Sequence, residues 1–177
     1  MKQITNYIEE ALHLNKDSGH KIKCNTNGDL KREVLKKIIG KETDYNDLDV
    51  SEITDFSHIF EDQDITEIDI SEWDVSKAET MRGMFQNCKY LRKTGNLKNW
   101  NVVNVKDFSW MFNGCKNLIN IGDLSSWNIN KDQKVHGMFN DTKKLSTIGN
   151  IKNWKLNIGN WDVFSLSKIN PQPSQTV

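Results

Sequence analysis

The chain has 177 residues, 36% hydrophobic and 27% charged, with 24 Lys+Arg against 24 Asp+Glu, six Trp and seven Phe. That is enough for one ordinary domain, and it carries more aromatic mass than a solvated tail would hold. No stretch approaches the roughly 20 apolar residues of a spanning helix, so no membrane association is expected. Cys24, Cys88 and Cys115 lack the even count and CxxC spacing of a disulfide framework or zinc ribbon. The zero net charge hides an asymmetry, since residues 48–80 hold 1 basic against 11 acidic residues and residues 81–177 hold 14 against 5. Folded onto each other such blocks would cancel; stacked in chain order they would become two charged ends.

The opening MKQITNYIEEALHLNKD lacks the basic region and apolar run of a secretory signal, which gives the expectation of a soluble, cytoplasmic protein. Ile4, Tyr7, Ile8, Ala11 and Leu12 share one face of an amphipathic helix that Asp17-Ser18-Gly19 would end. Leu30, Val34, Leu35 and Ile38 predict a second helix, closed by Gly40. We read residues 1–47 as a two-helix cap, needed because a terminal repeat would otherwise expose its apolar face.

From Leu48 onward three ladders run in one register. Phe85, Phe112 and Phe139 lie 27 residues apart, as do Trp73, Trp100, Trp127 and Trp154, and Ile70, Leu97, Leu124 and Ile151; Phe60 precedes Phe85 by 25. About four coils over 48–164 with a terminal cap follow, and then a flexible tail, 165–177. Val105, Phe108, Met111 and Phe112 predict a two-turn helix in each coil. Leu118 and Ile121, echoed by Leu145 and Ile148, predict a short strand beside the glycines at 95, 122 and 149. A strand, a turn and a short helix per coil make an α/β repeat: a leucine-rich-repeat-like solenoid with a parallel strand ladder, short helices and an N-terminal helical cap.

The run MFQNCKYLRKTGNLKNWNVVNVKDFSWMF at 84–112 resembles the BspA-like leucine-rich-repeat surface proteins, close to the repeats of mycoplasma lipoproteins, over about residues 48–160. The resemblance implies a parallel-strand solenoid used for protein binding, in many members as an adhesin, and implies no catalytic residues.

The Trp ladder is expected in the core, with a stacking platform for bases or sugars as the alternative. Cys88 and Cys115 share a phase and are expected as reduced, buried thiols. His13, His20, His58 and His136 are scattered without ligand spacing, and Asp62 and Asp64 lack the rest of a calcium loop, so no metal and no cofactor are expected. No phosphate-cradling or nucleophile motif is present, and a non-enzymatic protein is expected.

Lys89, Lys116 and Lys143 share one phase, with Arg92, Lys93 and Lys144 beside them. They form either a solvated rim or a surface facing an acidic protein or a nucleic-acid backbone. Asp62, Asp64, Glu67, Asp69 and Glu72 form a candidate acidic face, either solvated or imitating phosphates. The expected function is a monomeric or weakly oligomeric intracellular binding or inhibitor protein. Its expected partner is a protein, with a charged nucleic-acid-processing complex or ribonucleoprotein as the favoured kind. A secreted or surface adhesin is the alternative.

Overall fold

A polar acceptor, a buried apolar residue and a backbone donor, in that order, form the unit from which the chain is built. Asp49-Val50-Ser51, Asp55-Phe56-Ser57, Asp69-Ile70-Ser71, Asp74-Val75-Ser76, Asp107-Phe108-Ser109 and Asp123-Leu124-Ser125 all repeat it. In each, the carboxylate accepts the N–H of the serine two residues on, at 2.8–3.1 Å, and the middle side chain is buried. Asn96, Asn101, Asn130 and Asn150 accept the N–H of Lys98, Val103, Asp132 and Lys152 in the same way, around buried Leu97 and Val102, exposed Lys131 and half-buried Ile151. An Asx turn satisfies a backbone donor locally and bends the chain, so a corner forms without a helix or a ladder.

The computed structural model describes residues 21–156. Its regular elements are few: strand β1 (Ile22–Lys23), helix α1 (Asn27–Ile39), strand β2 (Leu48–Asp49) and one 3-10 turn (Leu97–Asn99). β1 and β2 pair in parallel, Ile22 with Leu48 and Lys23 with Asp49. This overturns the expected leucine-rich-repeat-like solenoid. Where a strand ladder and one short helix per repeat were expected, successive passes of the chain are joined by single parallel bridges, as at Glu67, Lys93 and Asn120 or Thr80, Asp107 and Lys134, and by rows of backbone hydrogen bonds from every second residue, as from Phe108, Trp110, Phe112 and Gly114 to Lys134, His136, Met138 and Asn140.

The physical reason lies in the spacing. Apolar residues at i and i+3 suit a helix, but they suit a chain of turns equally. Met111 N–H donates to Phe108, Asn113 to Trp110, Cys115 to Phe112 and Leu118 to Cys115, all at 3.1 Å. Trp110 and Gly114 within this run have φ of +59° and +75°, which no right-handed helix admits.

Helix α1 starts at a reciprocal cap: Thr26 Oγ1 accepts Asp29 N–H at 3.1 Å while Asp29 Oδ2 accepts Thr26 N–H at 3.1 Å. Leu30 and Val34 are buried, whereas Leu35, expected in the apolar stripe, is exposed. Lys37 takes an inner place and reaches Asp47 at 2.8 Å and Glu42 at 3.1 Å. Burial works against its charge, but the two carboxylates outweigh it and raise its pKa. Gly40, read as the cap, keeps φ −70°, and Lys41 takes the left-handed turn at +55°. The other predicted helix and the tail lie outside the described residues.

The interior is a set of side-chain columns. Phe60, Phe85, Phe112 and Phe139 stack with centroids 4.9, 5.2 and 5.6 Å apart and planes within 7°. Three ladder indole N–H groups cross to the preceding pass: Trp73 donates to the Tyr45 carbonyl at 2.8 Å, Trp100 to Ile70 at 3.2 Å and Trp127 to Leu97 at 3.1 Å. Those carbonyls also close their own turns, accepting the N–H of Leu48, Trp73 and Trp100, so both lone pairs are used. Cys88 and Cys115 are free and buried, donating to the carbonyls of Phe60 and Phe85 at 2.8 and 3.0 Å. Burial pushes the Cys115 thiol up to about 12, and the Cys88 thiol up as well, which leaves no reactive thiolate at neutral pH.

At one edge a left-handed position recurs as His58, Gly83, Trp110 and Gly137, with φ between +57° and +59°. A Cβ on Gly83 would come within 2.6 Å of the His58 ring, and one on Gly137 within 2.6 Å of the Trp110 ring. Rings and glycines therefore alternate.

The Asx turns set the acid behaviour. Hydrogen bonds from Ser51, Ser76 and Ser125 hold the carboxyls of Asp49, Asp74 and Asp123 below the ordinary range. A folded pKa below the unfolded value of about 3.9 gives stability that is fully present above that value and lost as pH falls through the folded one. We therefore expect the urea midpoint to hold down to about pH 5 on this account and to fall below about pH 4. The triple change Asp49→Asn, Asp74→Asn, Asp123→Asn keeps the acceptors and removes the titration. A flatter acid limb is expected; an unchanged one would assign the acid response to other groups.

Candidate interaction surface

The charge asymmetry resolves where successive passes meet. Glu52 lies 2.7 Å from Lys77, Glu79 lies 2.7 Å from Lys106, and Glu67 lies 4.0 Å from Arg92 and 3.8 Å from Lys93. Neighbours in space are 25–27 residues apart in sequence, so Glu67 and Glu79 of the acidic block meet Arg92, Lys93 and Lys106 of the basic block and neutralise them in part, while the Glu52–Lys77 pair lies within the acidic block.

All six candidate basic residues, Lys89, Arg92, Lys93, Lys116, Lys143 and Lys144, are exposed. Backbone and amide clips align them. Asn117 Nδ2 donates to the Lys89 carbonyl at 2.8 Å, Lys144 Nζ donates to Asn117 Oδ1 at 2.6 Å, and Ile119 N–H donates to the Arg92 carbonyl at 3.0 Å. Lys116 and Lys143 straddle one carboxylate, Asp141, at 3.5 and 3.4 Å. Lys89 makes no ion pair among the described residues.

Of the candidate acidic residues, one is tied to the basic set by ion pairs. Glu67 pairs with the basic set, Asp69 Oδ1 accepts Ser71 N–H at 2.9 Å, and Asp62 sits exposed at φ +59°. Asp64 and Glu72 are exposed, and the Glu72 backbone donates to Asn46 Oδ1 at 2.9 Å. Beside Glu67 and Lys93 runs an open polar groove of about 500 Å³, lined also by Asp44, Asp69, Asn96 and Asn120. The four ladder tryptophans are buried, so none offers a ring face as a stacking platform.

Two features went unread in the sequence. Tyr90 and Ile119 stand 53% and 42% exposed among the basic residues. Trp110, which falls outside the 27-residue Trp phase, packs between the Arg82 guanidinium, 4.1 Å from its ring centroid, and His136, 5.6 Å away edge-on. Arg82 in turn reaches Asp107 at 3.5 Å. With Arg82 in the preceding pass and Gly137 in the next, Trp110 is a rivet between passes.

Among the described residues, no helix is long and apolar enough to cross a membrane, and no cluster of three His, Cys, Asp or Glu side chains is placed to hold a metal. These observations define a turn-built protein with an aromatic-columned interior and a mixed-charge edge. A family model described as "Mycoplasma protein of unknown function, DUF285" matches residues 30–154, and the chain belongs to that family. No curated protein and no solved structure matches it. The family match corrects the resemblance to BspA-like leucine-rich-repeat proteins. The sequence similarity rested on the 27-residue phase of aromatic and apolar residues, which a turn-built chain shares.

Proposed function

We propose that the protein is a non-enzymatic binding module that works inside the cell and engages a charged protein partner, such as a member of a nucleic-acid-processing complex, through the edge lined by Lys89, Lys116 and Lys143. The observation that carries this reading is the in-phase exposure of these lysines with Arg92, Lys93 and Lys144 alongside. Packing does not require cations there, and the same edge offers no assembled set of nucleophile, base and oxyanion donors.

The test is the triple change Lys89→Ser, Lys116→Ser, Lys143→Ser. Exposed pairs contribute little to stability, about 0–1 kcal/mol each, so the melting temperature should stay close to that of the parent. Elution from immobilised polyglutamate should shift to lower salt. Identical elution of parent and variant would remove the lysine edge as a binding surface.

A further inference from the structure

Tyr90 and Ile119 are large apolar side chains exposed among cations, and the repeat gives no reason for them. The residues in phase with Tyr90 are Asn117 and Lys144, and those in phase with Ile119 are Arg92 and Ser146, all polar. The two sit on adjoining passes, because Asn117 is clipped to the Lys89 carbonyl and Ile119 to the Arg92 carbonyl. Tyrosine beside cations is the composition of a binding hot spot.

The charge on this edge also discriminates between partners. A phosphate backbone draws affinity from uncompensated cations that release its counterions. Here Asp141 sits between Lys116 and Lys143, and Glu67 sits beside Arg92 and Lys93, so a continuous polyphosphate track is interrupted twice. A protein segment places carboxylates discretely and brings apolar side chains between them.

We propose, on the basis of the lysine-edge reading, that the occupant of this surface is an acidic protein segment carrying an apolar side chain. Tyr90 and Ile119 anchor that side chain, while Lys89, Lys116 and Lys143 face the flanking carboxylates.

The test titrates the full chain with three fluorescently labelled probes of matched charge: polyglutamate, a random glutamate–tyrosine copolymer and oligo-dT. Burying one aromatic side chain should make the copolymer bind about tenfold more tightly than polyglutamate, and oligo-dT should bind more weakly than the copolymer. The double change Tyr90→Ser, Ile119→Ser should erase the copolymer's advantage and leave the weak, salt-sensitive binding of polyglutamate. Both side chains are exposed, so the variant's melting temperature reports that it remains folded. Tighter binding of oligo-dT would overturn the proposal in favour of nucleic acid. An unchanged copolymer preference in the double variant would overturn the anchor while the lysine edge stands. No binding of any probe, or binding unaffected by the triple lysine change, would overturn both.

Discussion

Trp127→Ala is expected to lower the unfolding free energy by about 3–5 kcal/mol, a large part of the 5–15 kcal/mol typical of a domain. Trp127 is 1% exposed and packs on two other rings, Trp100 at 6.3 Å with planes 6° apart and Phe108 at 5.7 Å. Removing it opens a cavity in the column, and the stacked rings on either side are pinned by their own turns and cannot close it. A second substitution separates packing from polarity. Trp127→Phe keeps most of the volume and removes the N–H that Leu97 accepts, but that carbonyl retains the Trp100 N–H. Its loss should therefore stay near 1 kcal/mol for the hydrogen bond plus a smaller packing term. Urea unfolding followed by circular dichroism reads both. A Trp127→Ala loss below about 1 kcal/mol would contradict burial in the column.

Gly122→Ala is expected to cost about 2–4 kcal/mol, combining a left-handed backbone with overpacking. Gly122 has φ +86°, and an added Cβ would run into Asn96 Oδ1 and its carboxamide carbon. Asn96 cannot easily retreat, because Oδ1 accepts the Lys98 N–H at 3.0 Å at the start of the 3-10 turn. The two costs can be told apart. In Asn96→Gly the obstructing amide is gone, so adding Gly122→Ala to that background should cost the backbone term, about 1–2 kcal/mol, with a small addition from the Cα of residue 96, 3.1 Å from the added Cβ. Equal costs in both backgrounds would mean that the contact with Asn96 contributes nothing.

Much of the interior was legible in the sequence, and the regular structure was not. The phases of Phe85, Phe112 and Phe139 and of Trp73, Trp100 and Trp127 are plain in the sequence, and the structure buries all six. The helix expected over Val105–Phe112 failed because three-residue spacing does not distinguish a helix from linked turns. The distinction lay in polar residues, in the Asp-apolar-Ser triplets and in the glycines, and a search for apolar periodicity passes over them. The strand ladder failed for a related reason: alternate residues donate to the next pass, as Phe108, Trp110, Phe112 and Gly114 do to the carbonyls of Lys134, His136, Met138 and Asn140, while Met111, Asn113 and Cys115 between them close turns within their own pass, so no extended strand runs through.

The candidate site was legible in part. Lys89, Lys116 and Lys143 could be aligned from their spacing, but the partial neutralisation of Lys116 and Lys143 by Asp141, itself at φ +58°, depends on how a side chain leaves a turn. The acidic residues were grouped by nearness in sequence. Spatial neighbours here come from the next pass, so Glu67 belongs with Arg92 and Lys93 instead. Tyr90 and Ile119 were hidden because exposure of an apolar residue inside a repeat shows only against its equivalents.

The alternation of His58, Gly83, Trp110 and Gly137 along one edge gives the molecule a second rhythm, twice as long as the first. Every bulky side chain there needs a neighbour with none. Excising one pass would bring two rings, or two gaps, face to face, whereas excising two would preserve the order. Changes in length at this edge are therefore permitted in even steps, a parity rule that the interior Phe and Trp columns, which keep one residue type from pass to pass, do not impose.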